Sequence, residues 1–319
     1  MADDVRSVVT KPLLVVNPRS GGGKTGKTFE EMRPAIGRAL GEFDVELTAH
    51  PGHAIAIARD GARAGRPLVV AVGGDGTMNE VVNGLMQGPA SGTRLGLIAQ
   101  GTGGDFRKTL GIEHRLDRYL EALASGNERA IDVGKLSYRA DDGTTQQRYF
   151  VNILSAGMGG LVDRYVAEGS RALGGTAAYF TASARALLKI QRGRVKCNFR
   201  LGGATHEARL GGYMIAICNG RYFGSGMHVA PMAKLDDGRF EVVAMDAPTK
   251  LAFAMASRQI YSGDHMKSKT TRHFACDALE MTLENREAED VFVLDVDGEP
   301  LGKLPIRVEM VPKALTLRA

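Results

Sequence analysis

The sequence predicts two domains: an α/β N-terminal domain on a parallel sheet, then a C-terminal domain that is mainly an antiparallel β-sandwich. Residues 68–72, Leu-Val-Val-Ala-Val, form an unbroken apolar run, the mark of a strand buried on both faces of a parallel sheet. Strand-like runs alternate with helical patterns through the first third of the chain, which implies right-handed βαβ units. Beyond about residue 133, strand patterns crowd together between turns containing Gly and Asp, as in a sandwich or barrel.

In the first domain, placed at residues 1–133, residues 13–16 read as a buried strand and 28–40 as a helix. Residues 43–48 read as a second strand, and 53–64 as a helix with an alanine-rich inner face. The run at 68–72 is the third strand. Met78, Val81, Val82 and Leu85 then recur at helical spacing. A fourth strand at 94–98 precedes a short helix. In the second domain, at 134–302, strands are read at 135–138, 147–154, 195–201, 213–219, 240–245, 278–283 and 291–296. Helical patterns interrupt them at 176–191 and 250–262. A last strand at 306–310 suits either domain, and the segment from about 303 to 319 is expected to pack back on the first.

With 319 residues the chain is long enough to bury two cores. Its apolar share of 44% and charged share of 24% are those of an ordinary globular protein. A net charge of +5 suits an anionic surface or a polyanionic ligand as well as plain solubility, and nucleic acid is not expected as a partner. No apolar stretch approaches the length of a membrane span. The acidic start, Met1-Ala2-Asp3-Asp4, lacks the features of a secretory signal. Cys197, Cys218 and Cys276 stand apart with no paired spacing, which favours reduced thiols over disulfides or a zinc site. A cytoplasmic location is expected on that basis. The histidines, His50 and His53 being the closest pair, show no metal-ligand pattern.

Gly73-Gly74-Asp75-Gly76-Thr77 stands between the third strand and its helix. Glycine lets backbone N–H groups approach a ligand closely, and a helix N-terminus adds unpaired donors and partial positive charge. Phosphate suits such a turn. Asp75 within it calls for a divalent cation between carboxylate and phosphates. The first turn, residues 17–28, contains a match to the G-x-x-x-x-G-K-T pattern at residues 21–28. Four residues separate strand and first glycine, and no later strand ends in an aspartate suited to hold magnesium, so a true P-loop is disfavoured. The loop is still expected to touch phosphate through Ser20, backbone N–H groups and Lys24. A third glycine turn covers residues 101–105. All three fall beyond the carboxyl ends of strands, where such sheets bind ligands.

Six segments in order carry a resemblance: Asn17-Pro18-x-Ser20-Gly21; Gly73 to Thr77 with Asn79-Glu80; Gly101-Thr102-x-x-Asp105-Phe106; Ile131-Asp132-Val133-Gly134; Pro231 to Gly238; and Asp297-Gly298-Glu299-Pro300. Together they resemble the diacylglycerol kinase catalytic family of lipid kinases, which includes bacterial soluble lipid kinases, sphingosine kinases and ceramide kinases. Nearly the whole chain is covered. The Gly-Gly-Asp-Gly turn also occurs in NAD kinases and phosphofructokinases, so the resemblance implies their fold for the first domain. It further implies ATP and Mg2+ as cofactors. Nucleotide contacts are implied at Asn17, Ser20, Gly21, Thr48, Gly74, Asp75, Gly76, Thr77, Asn79, Glu80 and Thr102.

The resemblance also implies an acidic network of Asp75, Asp105 and Asp132 around catalytic magnesium, largely through water. A strand-end carboxylate capping a turn is the alternative for Asp132. A structural magnesium is implied at Asp237, completed by the carbonyls of Lys234 and Arg239, with an ordinary Asp-Gly turn as the competing explanation. One carboxylate of Asp297-Gly298-Glu299 is implied as the base that takes the substrate hydroxyl proton. Glu299 is preferred, with Asp297 as its partner or replacement, and Asp75 completes the catalytic set. Local sequence alone reads Asp-Gly as a hairpin turn.

Two positions depart from the family. Ala99 replaces its proline and Gly104 its asparagine, which removes a side-chain donor and acceptor. The segment 170–196 carries Arg171, Arg185, Lys189, Arg192, Arg194 and Lys196 around Ala178, Ala182, Leu187 and Leu188. It suits peripheral contact with an anionic leaflet, or a core-packed helix with a solvated basic face. The implied function is an ATP-dependent lipid kinase acting on a hydroxyl of a membrane lipid. Diacylglycerol is the default acceptor; sphingoid base, ceramide and phosphatidylglycerol stay open, and a homodimer is compatible. The alternatives are an NAD kinase, whose Ser/Thr-rich second motif is not found, and a non-catalytic nucleotide-dependent lipid-binding protein.

Overall fold

Leu13–Val16 (β1) is buried at every position, as a short all-apolar run between two sheet neighbours should be. The computed structural model of the protein describes residues 11–88, 92–101, 103–140, 142–169 and 175–319, with the backbone alone for 175–178. The chain forms two units: residues up to 131 together with Ala314–Ala319, and Asp132–Lys313.

In the first unit β1 is followed by α1 (Lys24–Leu40), β2 (Asp44–Leu47), α2 (His53–Arg63), β3 (Leu68–Gly73), α3 (Asp75–Gln87), β4 (Arg94–Ala99), α4 (Asp105–Leu110) and α5 (Leu116–Ala124). β1 pairs in parallel with β2 on one side and β3 on the other, and β4 adds beside β3. Thr316 and Leu317 then pair in parallel with Arg94 and Leu95, giving β4 an outer neighbour. The strand order thus reverses direction between β1 and β3. That is the switch point at which an open α/β sheet opens a crevice beyond its strand ends. The helices are held by the stripes expected of them: Phe29, Met32 and Ile36 in α1, Ala54, Ile57, Ala58 and Ala62 in α2, and Met78, Val81, Val82 and Leu85 in α3 are buried.

The first helix begins at Lys24, four residues earlier than the sequence pattern suggests. Gly26-Lys27-Thr28 therefore lies inside it, and the Thr28 hydroxyl donates to the Lys24 carbonyl at 3.1 Å. The G-K-T match is a helical segment and forms no phosphate loop. α5 is an element that pattern reading passed over; Tyr119, Leu120 and Leu123 bury its inner face.

The second unit holds β5 (Glu128–Arg139, from Asp132), β6 (Thr145–Phe150), β7 (Ile153–Gly157), α6 (Met158–Glu168), α7 (Gly175–Lys189), β8 (Gly193–Leu201), β9 (Ala204–Gly212) and β10 (Met214–Cys218). It continues with β11 (Tyr222–Phe223), β12 (Met227–His228), β13 (Phe240–Met245), α8 (Lys250–Ala256), β14 (Thr271–Cys276), β15 (Ala278–Leu283), β16 (Val293–Val296) and β17 (Glu299–Arg318). One layer runs β14–β13–β10–β7–β16, all antiparallel. The other runs β17–β15–β8–β9. Ile215, Ile217 and Val242 of the first layer share a core with Cys197, Leu279, Met281 and Val308 of the second.

β10 shows why its apolar run is continuous in an antiparallel sheet. Ile215 and Ile217 enter that inner core, whereas Met214, Ala216 and Cys218 enter a second cluster with Leu161, Ala186 and Phe253 of α6, α7 and α8. Helices cover the outer face, so both sides of the strand are buried.

Several sequence expectations change here. The strand expected at 147–154 is two strands, broken at Val151-Asn152 where the chain leaves β5 as a partner and joins β10 and β16. The helix expected at 250–262 ends at Ala256 and continues as a 3-10 turn, Ser257–Ile260. β9 and β14 were not legible because their alternation is weak; β9 is mostly exposed. α7 stops at Lys189, so Arg192, Arg194 and Lys196 do not belong to it; the last two sit on β8. Arg171 and the side chain of Ala178 lie outside the described residues. All three cysteines are buried and free, and burial pushes the Cys197 and Cys276 thiols up to about 12. Among the described residues no helix is long and apolar enough to cross a membrane.

Candidate active site

Three turns at the carboxyl ends of β1, β3 and β4 come together in the first unit. Very little space separates them. A Cβ placed on Gly101 would sit 2.8 Å from the Gly74 Cα, and one on Gly74 would sit 3.4 Å from the Ser20 hydroxyl oxygen. One on Gly21 would sit 2.7 Å from the Gln100 carbonyl oxygen. Side chains at these positions would fill or wedge open the place where the turns meet, so glycine is required by close approach.

Two of the helices that leave these turns begin without a side-chain cap. α1 starts after Gly23, and α3 after Gly74. At the start of α1 the Lys24 and Gly26 N–H groups already donate to the Ser20 and Pro18 carbonyls, so it is the first turn of α3 that offers donors and a partial positive charge to an anion. Asn17 and Thr77 fasten the first turn to α3: the Asn17 amide donates to the Thr77 hydroxyl at 3.0 Å, and its oxygen accepts from the Arg19 N–H. Thr48, at the end of β2, donates its N–H to the Val16 carbonyl at 2.9 Å.

Asn79 and Glu80 lie deeper in α3. Asn79 is fully buried and its side-chain oxygen accepts from the Asn83 amide at 3.1 Å. The Glu80 carboxylate accepts from the N–H groups of Gly52 and Ala54, at 2.8 and 3.1 Å, and so caps the start of α2. Gly76 lies half-buried in the first turn of α3. Thr102 lies outside the described residues.

Asp75 and Asp105 are brought together. A carboxylate oxygen of Asp75 accepts the Asp105 N–H at 3.3 Å, and the Asp105 carboxylate, 5% exposed, meets the Lys108 ammonium at 2.8 Å. Gly103 lies between the two carboxylates, where a Cβ would sit 2.8 Å from an oxygen of Asp75. The departure at Gly104 has a structural reason. Its φ is +58°, a left-handed conformation that asparagine also tolerates and most side chains resist.

Asp132 belongs to the second unit. Its two carboxylate oxygens accept the N–H groups of Gly238 and Lys313, at 2.6 and 2.7 Å, and its own N–H donates to the Leu235 carbonyl. It therefore fixes the 235–238 loop, the turn-capping role left open above. On the same loop Asp237 accepts the Arg239 N–H at 3.2 Å. Partial burial lifts the Asp237 carboxyl above its ordinary value, and Glu241 and Asp132 add repulsion. Lys234 is exposed beside it. Among the described residues no three His, Cys, Asp or Glu side chains gather as a metal-binding group.

Asp297 and Gly298 form the two-residue turn joining β16 to β17, with φ of +50° and +88°, the hairpin geometry that Asp-Gly favours. The Asp297 carboxylate accepts the N–H groups of Val151, Asn152 and Ile153, at 3.2, 3.1 and 2.9 Å. These are the donors released where the chain changes sheets. Glu299 opens β17 as an exposed residue. Asp295, which the sequence reading missed, is 1% exposed and accepts the Gly298 N–H at 2.9 Å and the Ser155 hydroxyl at 3.3 Å. Burial, then the neighbouring Asp163 carboxylate, raises its carboxyl well above the ordinary range. Its only sequence signal is an acid inside an apolar strand.

Comparison with known proteins matches residues 11–136 to the diacylglycerol kinase catalytic domain and residues 152–319 to the YegS C-terminal NAD kinase beta sandwich-like domain. The chain belongs to this kinase family. Its likeness to a Chromohalobacter salexigens protein named "probable lipid kinase YegS-like" is 31% identity over 302 residues, 93% of this chain and 91% of that one. A Staphylococcus haemolyticus diacylglycerol kinase is 25% identical over 92% of this chain and 83% of its own. The fold is shared with a crystal structure of a diacylglycerol kinase from Bacillus anthracis str. Sterne, with a TM-score of 0.68 at 22% identity, covering 97% of this chain and 96% of that one. The family's kinase activity implies ATP as phosphoryl donor.

Proposed function

We propose that the protein transfers the γ-phosphate of ATP to a hydroxyl of a membrane lipid, diacylglycerol first among the acceptors. The observation that carries the reading is the meeting of three glycine turns at the start of α3, which has no side-chain cap, with Asp75 among them. N–H donors there suit the β- and γ-phosphates, whose charge phosphoryl transfer must have stabilised. Asp75 and Asp105 fit magnesium, a cation that commonly uses one or two carboxylates and takes its other ligands from phosphates and water. When bound, it neutralises charge on the phosphate oxygens.

Glu299 is the proposed base. It removes the proton from the lipid hydroxyl as that oxygen attacks the γ-phosphorus and ADP departs. Asp297 positions the turn: its carboxylate is already engaged by three backbone donors. The carbonyls of Lys234 and Arg239 with Asp237 are the proposed seat of a structural cation.

The test is a radiolabelled ATP assay with diacylglycerol, sphingoid base, ceramide and phosphatidylglycerol in mixed micelles, with NAD as a separate acceptor. Transfer to a lipid supports the reading. Transfer to NAD alone, or lipid binding without transfer, overturns it. Asp75→Asn and Glu299→Gln abolish transfer in the folded protein; near-normal turnover in both rejects the assigned roles.

A further inference from the structure

Four of the most exposed large apolar side chains lie on two neighbouring helices of the second unit: Phe180 (75% exposed) and Leu188 (78%) on α7, Leu251 (70%) and Met255 (68%) on α8. Positions 180, 184 and 188 follow one another at intervals of four and form a single outward stripe of Phe, Ala and Leu. Positions 182, 186 and 190 on the opposite side are buried against the sheet. Leu251 and Met255 repeat the same interval on α8, whose Phe253 points inward. The Lys250 ammonium donates to the Leu188 carbonyl at 2.7 Å, tying the end of α7 to the start of α8. Each helix thus has its core side satisfied and a second apolar face turned to solvent.

The surrounding charge identifies the occupant. Segments 179–192 and 248–269 hold seven Lys and Arg; Arg185, Arg192 and Lys267 pair with Glu168, Asp246 and Asp264, and the cations that remain are Lys189, Lys250, Arg258 and Lys269. A second copy of the chain docking on this face through a two-fold axis would set those cations against their own duplicates. An anionic bilayer meets both features, since its headgroup phosphates attract the cations and the acyl boundary takes the apolar residues.

We propose that the outer face of α7 and α8 docks the protein on anionic membranes, with Phe180, Leu188, Leu251 and Met255 entering the headgroup–acyl boundary. The proposal takes its purpose from the lipid-directed function above, and its test omits ATP so that either can fail alone. Purified protein is floated with vesicles of phosphatidylcholine, with and without phosphatidylglycerol. It binds the anionic vesicles, binding weakens as salt rises, and Leu188→Ser with Met255→Ser lowers vesicle affinity at least tenfold at unchanged melting temperature. Because the chain has no tryptophan, Met255→Trp supplies a single reporter whose emission moves to the blue on anionic vesicles. Equal binding to neutral vesicles, or full binding by the double variant, overturns the proposal. So does an unshifted Met255→Trp emission, or a double variant that alters only a dimer measured by light scattering.

Discussion

Asp297 and Ile153 are bonded in both directions: the Asp297 N–H donates to the Ile153 carbonyl at 2.9 Å, and the Ile153 N–H donates to the Asp297 carboxylate at 2.9 Å. The turn that carries the proposed base is thereby locked to the point where the neighbouring strand changes sheets.

Asp297→Ala should therefore act on folding before it acts on chemistry. It leaves buried N–H groups of Val151, Asn152 and Ile153 without their acceptor, a loss on the order of 3 kcal/mol. Glu299→Gln, at an exposed position, should leave the melting temperature unchanged and reduce kcat roughly 100-fold or more. Thermal melts beside steady-state kinetics check the contrast. Equal stability in the two variants would remove the positioning role of Asp297.

Gly101→Ala should weaken nucleotide binding. Its new methyl group would lie 2.8 Å from the Gly74 Cα, forcing the second and third turns apart. Overpacking of this kind costs about 1–3 kcal/mol, so titration calorimetry with a non-hydrolysable ATP analogue should show about a tenfold loss in affinity.

Gly104 separates two explanations of its departure from the family. Gly104→Asn should be tolerated in stability and turnover, because asparagine accepts φ of +58°. Gly104→Val should lose roughly 1–2 kcal/mol from backbone strain, read by urea unfolding. A destabilised Gly104→Asn variant would mean that crowding against Arg107, whose Nε lies 3.1 Å from the Cβ position, decides the matter.

His265 predicts a direction for pH. It is 3% exposed, its Nε2 lies 2.9 Å from the Val229 carbonyl, and burial, with repulsion from His228, outweighs the opposing pull of the Val229 and Gln259 backbone and of Asp264, and holds its pKa below the ordinary histidine value. The unfolded chain then binds a proton more readily than the folded one. This stability is present above a pH of about 6.5 and is lost as pH falls below it. Melting temperatures from pH about 8 to about 5.5 should fall, and His265→Gln should flatten the slope.

The parallel sheet was legible because unbroken apolar runs ending in glycine have few other uses; β3 and its turn were read to within a residue. The six ordered motifs located the family. What the sequence hid was partnership. Glu80 looks like a ligand-facing acid just after a glycine turn, yet its carboxylate caps α2, a partner 26 to 28 residues upstream. Asp132 is claimed by backbone groups as distant as Lys313. Asp295 sits in an apolar strand with no local hint that Ser155 and Gly298 surround it. Spacing shows which groups are neighbours along an element; it cannot show which distant donor reaches a carboxylate first.

The closing stretch of β17 carries a consequence for biosynthesis. Thr316 and Leu317 give β4 its outer neighbour, yet they are translated after every residue of the second unit. As the nascent chain emerges, the sheet of the first unit must wait with an open edge until the second unit has been made. A truncation near residue 310 should therefore damage the part of the protein that was synthesised first.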